Sequence, residues 1–238
     1  MSSSQARLDL LIDVFDQVEQ PARVLPKIKP PQLIEAIIQE FREIQYLADD
    51  PAQYYLARAG DGTPLEEDVE LSRQRLASGA RLVLHERTLA APAGAQPFSR
   101  RVYLREQSLG KVYRLVWRPA IVGRHAESPS QGDGQPVAVD LQPFATGLRV
   151  SRRHLSIDER DGQPTVENLS NNPAFIQRAG GVQIPVEAGK IPLQAEDIIL
   201  LERSQIAFKV LFLPEVEQGA AEGMAATADP EADVVEES

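Results

Sequence analysis

The sequence predicts an α+β domain at the N-terminus, followed by an all-β sandwich and a disordered acidic tail. Within residues 1–87 the apolar residues alternate with period two, change to helical spacing, and then return to period two. Residues 98–214 contain short apolar runs, separated by turn signals at intervals of roughly 8 to 12 residues. Residues 215–238 hold eight acidic residues, no basic residue and few large apolar ones, a composition typical of disorder.

Residues 8–15 place Leu8, Leu10, Ile12 and Val14 on one face and Asp9 and Asp13 on the other, and this period of two predicts a first strand. A second strand is expected at residues 22–28, where Pro26 favours an edge position. Two prolines, Pro30 and Pro31, then precede a helix whose apolar residues are spaced by three and four. These apolar residues are Leu33, Ile34, Ile37, Ile38, Phe41 and Ile44. Further strands are expected at residues 54–57 and 81–85, on either side of the Gly60–Asp61–Gly62 turn.

This order of strand, strand, helix, strand and strand resembles the ubiquitin-like β-grasp fold over residues 1–87. Conjugation would need an exposed diglycine terminus, whereas this chain continues past residue 87. The resemblance therefore implies a docking or spacer module. Residues 88–97 are rich in alanine and proline and carry no charge, which predicts a flexible linker between two independent domains.

The second domain, residues 98–214, contains closely spaced short strands, as expected for an all-β sandwich. These strands are expected at residues 102–104, 112–116, 120–122, 137–140, 154–157, 165–167, 174–176, 183–185, 198–201 and 206–212.

The net charge of −10 is unevenly distributed along the chain. The tail contributes −8 and residues 1–85 contribute −5, whereas residues 86–214 carry +3. That positive charge is far too small for a typical duplex-binding surface, so we expect no nucleic-acid partner. The sequence has no cysteine, no signal peptide and no apolar stretch of membrane-spanning length. We therefore expect no membrane insertion and a cytoplasmic location.

Three segments of the second domain join an apolar run to small polar or cationic residues. They are Gly123–Arg124, the four residues from Ser151 to His154, and Ser170–Asn171–Asn172. Loops that follow neighbouring strands can converge at one end of a sandwich. Guanidinium, hydroxyl and amide groups would then meet without a carboxylate or a thiol, and such a group can bind an anion.

These three segments, in this order on an all-β pattern, resemble the signature of the forkhead-associated (FHA) domain. The resemblance covers residues 98–214 and implies a β-sandwich whose loops bind phosphothreonine peptides. It implies phosphopeptide-binding roles for Arg124, Ser151, Arg152, Asn171 and Asn172. It implies structural roles for Gly123 and His154. The partner would be a threonine-phosphorylated protein, such as a serine/threonine kinase or its substrate, and the chain a signalling adaptor.

One residue departs from the FHA pattern. Pro173 follows the asparagines where the family usually has glycine, and proline restricts the backbone of the residue before it. This departure favours an alternative, a degenerate FHA scaffold that binds partners independently of phosphate. A second alternative is an enzyme of unrecognised type. However, His85, His125 and His154 lie far apart in sequence and no nucleophile, base and acid stand together. We therefore predict no catalysis, no cofactor and no metal site.

Overall fold

The computed structural model of the chain describes residues 7–125, 136–187 and 189–213. The acidic tail that was predicted to be disordered, residues 215–238, lies outside the described residues. No helix among the described residues is long and apolar enough to cross a membrane.

The first domain is a four-stranded sheet with one helix packed against it. The strands lie in the order β2-β1-β4-β3, with β1 and β4 parallel and the other neighbours antiparallel. The elements are β1 (Leu8–Val14), β2 (Gln17–Val24), α1 (Pro30–Glu40), β3 (Tyr54–Arg58) and β4 (Ala80–Glu86). Helix α1 buries Leu33, Ile34, Ile37 and Ile38 against the sheet, as its apolar spacing predicted. The ubiquitin-like resemblance of this domain stays a prediction.

Two boundaries in this domain differ from the sequence-based expectation. Strand β2 begins at Gln17, not at residue 22, because Phe15 takes a left-handed conformation (φ 56°) and turns the chain directly back onto β1. Helix α1 ends at Glu40. Ile44 then donates its N–H to the carbonyl of Phe41 in a turn. Phe41 and Ile44 still pack against the same core, which explains why the helical spacing extended to them.

The second domain is a sandwich of two sheets, so the predicted all-β architecture is confirmed. One sheet has the order β13-β10-β9-β7-β8 and the other β12-β11-β14-β15-β5-β6. The strands are β5 (Arg101–Glu106), β6 (Val112–Leu115), β7 (Ala120–Gly123), β8 (Val137–Asp140), β9 (Leu155–Arg160), β10 (Gln163–Asn168), β11 (Ala174–Gln177), β12 (Gln183–Pro185), β13 (Ile191–Pro192), β14 (Ile198–Leu201) and β15 (Ile206–Leu213). Their inward side chains form one apolar core, which includes Val122, Leu155, Ile157, Ile199 and Phe208.

The outer face of the larger sheet packs against the first domain. Tyr103 of β5 is fully buried and its ring stacks on Tyr46 at 5.7 Å between centroids. The Tyr103 hydroxyl donates to Oε2 of Glu86 (3.0 Å), and the same oxygen pairs with Arg114 at 2.9 Å. Burial raises the pKa of Glu86, and Arg114 opposes that shift. The composition of the linker predicted independent domains and did not indicate this contact.

Candidate anion-binding site

Gly123, the last residue of β7, lies directly against the main chain of the loop that precedes β9. A Cβ atom built on Gly123 would overlap the carbonyl oxygen of Arg152 and would lie 2.7 Å from its carbonyl carbon. The same atom would lie 3.0 Å from the carbonyl oxygen of Ser151. Only glycine fits this approach, because carbon atoms that are not bonded cannot come so close. Gly123 therefore sets the distance between its own loop and the loop that contains Ser151 and Arg152.

Arg124 is half-buried and joined to the same loop by its main chain and its side chain. Its main-chain N–H donates to the carbonyl of Ser151 (3.2 Å), and its Nε donates to the carbonyl of Val150 (3.1 Å). Within the described residues, no carboxylate forms an ion pair with this guanidinium. Its orientation is therefore fixed while its charge is left without an opposite charge.

Ser151 and Asn172 come from different loops and are hydrogen-bonded to each other. The side-chain amide of Asn172 donates to Oγ of Ser151 at 3.0 Å. The Ser151 oxygen thus accepts from Asn172, and its own hydroxyl hydrogen is left to donate elsewhere. A hydroxyl held in this way is suited to an acceptor such as a phosphate oxygen.

The loop that carries Asn172 is shaped by Asn168, a residue that the sequence interpretation did not select. The Asn168 amide donates to the carbonyl of Asn172 (2.9 Å), and its oxygen accepts from the main-chain N–H of Ser170 (3.0 Å). The Ser170 hydroxyl in turn accepts from the N–H of Asn172 at 3.1 Å. An asparagine at the end of a strand followed two residues later by serine is a known turn-forming arrangement, so a local signal for Asn168 existed.

Pro173, which departs from the family pattern, also forms a contact with another loop. Its carbonyl accepts the N–H of Glu202 at 3.2 Å. Glu202 begins the turn between β14 and β15, and Arg203 follows it. Pro173 thus places the Arg203 turn beside Asn172.

Together these loops enclose an open depression of about 530 Å³ at one end of the sandwich. Arg149 and Arg203 lie in it in addition to Arg124, and none of the three forms an ion pair with a described residue. None of the described residues of the lining is acidic. The lining consists of Arg124, Leu148, Arg149, Val150, Ser151, Asn172 and Arg203. The sequence interpretation missed Arg149 and Arg203, although the net positive charge of this half of the chain was a general indication.

Two of the predicted binding residues do not line the depression. Arg152 is exposed and contributes its carbonyl to the Gly123 contact, as described above. Asn171 lines a second groove with Leu169 and Phe175, and Asn172 lines both that groove and the depression. The structure therefore brings together Arg124, Ser151 and Asn172 in the depression, whereas Arg152 and Asn171 do not line it.

His154 is buried beneath the loops, with a relative exposure of 1%. Its main chain links two loops: its N–H donates to the carbonyl of Val122, and its carbonyl accepts the N–H of Leu169, both at 2.9 Å. Among the described residues neither ring nitrogen has a partner in hydrogen-bonding geometry. Burial lowers the pKa of His154, and the nearby backbone of Asn172 partly opposes the shift. The loops are thus connected through the His154 main chain.

Within the described ranges no group of three or more histidine, aspartate or glutamate side chains could hold a metal ion.

No protein-family model matches the sequence, and no curated protein matches it either. Several solved structures do match. The FHA domain of human APLF, in complex with an XRCC1 bisphospho peptide, is 23% identical with a TM-score of 0.35, and the match covers 48% of this chain and 99% of that one. The yeast Dun1 FHA domain, in complex with a doubly phosphorylated peptide, is 14% identical with a TM-score of 0.35 and coverages of 63% and 100%. EmbR of Mycobacterium tuberculosis, in complex with a low affinity phosphopeptide, is 20% identical with a TM-score of 0.36 and coverages of 53% and 27%. Because these TM-scores are below 0.5, the proposal below rests on the site of this chain.

Proposed function

We propose that the chain is a signalling adaptor that binds threonine-phosphorylated proteins through the depression formed by Arg124, Ser151 and Asn172. The observation that carries this proposal is the convergence of three loops on one depression. Counting only the described residues, it contains three arginines without an ion pair and no acidic side chain. Arg124 is half-buried, and Arg149 and Arg203 are exposed. An anionic ligand in the depression would be attracted by the positive charge of all three.

A phosphorylated side chain matches this set of groups. It carries about −1.5 to −2 charges at pH 7 and three strong acceptor oxygens. The terminal nitrogens of Arg124 and the hydroxyl hydrogen of Ser151 would donate to those oxygens. Arg149 and Arg203 would add positive charge around them. Threonine as the phosphorylated residue is what the FHA resemblance implies, and it is part of the proposal.

The lining of the depression favours binding over catalysis. Its described residues include a hydroxyl but no histidine, carboxylate or lysine that could act as a general base for that hydroxyl. A protein that holds a phosphopeptide without reacting with it is an adaptor. Its partner would be a serine/threonine kinase or one of its substrates.

The proposal can be tested by titrating the protein with matched peptides that carry threonine, phosphothreonine or phosphoserine. Arg124→Ala should weaken binding of the phosphothreonine peptide by about 10- to 150-fold, which corresponds to about 1.5 to 3 kcal/mol for a hydrogen bond to a charged group. Arg160→Ala is the matched control, because Arg160 is an exposed arginine at the far end of β9. Equal affinity for phosphorylated and unphosphorylated peptides would instead support the phosphate-independent scaffold.

A further inference from the structure

A second depression, of about 560 Å³, lies between the two domains and has no part in the proposed phosphate site. One side is formed by the segment before β3, another by the start of the linker, and the third by β6 and the turn before it. Two leucines in it, Leu89 and Leu109, are each 61% exposed although they border a largely apolar groove. Its charged lining residues include Asp49, Asp50, Glu86, Arg87, Lys111 and Arg114.

Strand β6 is the last strand of its sheet, and its free edge can be identified from the register. The N–H of Glu106 donates to Lys111 (2.7 Å), whereas the N–H of Gln107 donates to Ala207 on the other side of β5 (2.9 Å). Even-numbered residues of β5 therefore face β6.

In the β5–β6 register, Leu104 is opposite Tyr113 and Val102 is opposite Leu115. The main-chain polar groups of the alternate residues, Val112 and Arg114, must then point away from β5. Among the described residues, neither forms a main-chain hydrogen bond with another segment. A row of free donors and acceptors on a sheet edge is a template for a further strand.

The charges in this groove are not balanced. Arg87 pairs with Glu67, Arg114 pairs with Glu86, and Lys111 lies 5.4 Å from the centre of the Phe144 ring. Asp49 and Asp50 form no ion pair with a described residue. Lys111 likewise forms no ion pair with a described residue, so the unpaired side chains of the groove carry a net charge of −1. The adjacent carboxylates of Asp49 and Asp50 favour a cationic side chain placed beside them.

We propose that the groove between the domains binds an extended segment of a partner protein, which adds to the edge of β6 as a further strand and places a lysine or arginine beside Asp49 and Asp50. Apolar side chains on alternate positions of this segment would cover Leu89 and Leu109. Strand addition to an exposed sheet edge is an established way of recognising extended peptides. The site is separate from the phosphate site, so the two sites would bind two segments at once.

The probe is an array of unphosphorylated ten-residue peptides that alternate apolar and polar positions. The peptides form three series, in which all polar positions are lysine, serine or glutamate. We expect lysine peptides to bind the full chain, and N-methylation of alternate residues to abolish binding because it removes the donors that pair with β6. The double variant Asp49→Asn and Asp50→Asn should weaken the lysine series about tenfold and leave the serine series unchanged. Asparagine keeps the hydrogen bond that Asp50 accepts from Ala52 (3.0 Å), so the fold should be retained.

Leu109→Ser should weaken binding, and Val182→Ser is its matched control at an exposed position (56%) beside β12. Arg124→Ala should bind these peptides like the parent, which separates this test from that of the phosphate site.

Three results would overturn the proposal. They are the absence of binding by any lysine peptide, binding that survives N-methylation, and binding only to a chain ending at residue 213. The last result would mean that the acidic tail is the occupant. A dimer that Leu109→Ser dissociates, with no peptide bound, would assign the groove to a second copy of the chain.

Discussion

Gly123 fixes the separation between the Arg124 loop and the Ser151 loop through contact between their main chains. We expect Gly123→Ala to destabilise the second domain by about 1 to 3 kcal/mol, the usual range for overpacking. The new methyl group would have to displace the carbonyls of Ser151 and Arg152. Because Ser151 moves with that loop, phosphopeptide binding should weaken as well. Thermal melts and titrations of the same samples would measure both effects.

Gly60→Ala is the control for this substitution. A Cβ at Gly60 meets no atom within 4 Å, and its backbone is not left-handed. We expect it to melt and bind like the parent. If Gly123→Ala behaves in the same way, the loops do not make the close contact described above.

His154 should make stability depend on pH, because its folded-state pKa is lowered mainly by burial. Between the ordinary pKa of about 6.5 and the lower folded value, the unfolded chain binds a proton that the folded chain does not. The stabilisation is therefore complete above about pH 6.5 and is lost as the pH falls through that range. Denaturant unfolding at pH 7.5 and 5.5 should show a smaller loss for His154→Gln than for the parent.

His85 must be controlled in this experiment, because burial lowers its pKa as well. His85→Gln should remove the part of the pH dependence of unfolding that His85 contributes. The double variant of His85→Gln and His154→Gln should show a smaller pH dependence than either single variant. The readout is the change with pH, so a constant loss of stability in any variant does not affect it. Identical pH dependence in the parent and His154→Gln would contradict the buried neutral imidazole.

At the scale of elements, Asp197 holds the start of β14. Its carboxylate is 1% exposed and accepts from Nε and Nη2 of Arg178, each at 3.0 Å, and from the N–H of Gln194 at 2.8 Å. We expect Asp197→Ala to lower the free energy of unfolding by about 3 kcal/mol, as for one partner of a buried pair. Arg178 keeps a quarter of its side chain exposed, which favours the lower end of the known range.

A double-mutant cycle separates the ion pair from the contact with Gln194. Arg178→Ala should also destabilise the domain, because it leaves the Asp197 carboxylate buried without its cation. The double variant should lose less than the sum of the two single losses. Additive losses in denaturant unfolding would mean that the pair is not coupled and that Asp197 acts through Gln194 alone.

At the scale of the whole molecule, the linker composition predicts a cleavable connection, whereas the contact between the domains is expected to hold them together. Residues 88–95 are mostly exposed and rich in alanine, so limited proteolysis should cleave there first. We expect the two fragments to stay associated afterwards, because Tyr103, Val112, Leu211 and Leu213 are buried in the core of the first domain. Size-exclusion chromatography of the cleaved protein would measure this.

Elution as one species in buffer and as two in denaturant is the expected result. Elution as two species in buffer without denaturant would support the independent domains that the linker composition predicted. Resistance of residues 88–97 to cleavage would contradict the domain boundary itself.

The local sequence determined the elements and the chemistry of the site. Period-two alternation predicted β1, and short apolar runs between turn signals predicted the strands of the second domain except β13. Helical spacing predicted α1, and the order of Gly123, Arg124, Ser151 and Asn172 indicated an anion-binding loop cluster. These features depend on neighbours along the chain, so they can be recognised without a three-dimensional structure. Strand β5 also contains three consecutive apolar residues, Val102, Tyr103 and Leu104. This pattern indicates from the sequence that both faces of the strand are covered.

Only the tertiary structure decided which residues share a site. Asn171 and Asn172 are adjacent in sequence and both line the groove beside Phe175, but only Asn172 also lines the depression. The hydrogen bonds of Asn168 and Ser170 shape the turn that holds Asn172 there. Arg203 enters the depression through the bond between Pro173 and Glu202, and Arg149 enters it from the loop before Ser151. Such placements, like the packing of Tyr103 on Tyr46, depend on contacts between residues far apart in the chain. Sequence periodicity carries no information about those contacts, because it reports only which face of an element is apolar.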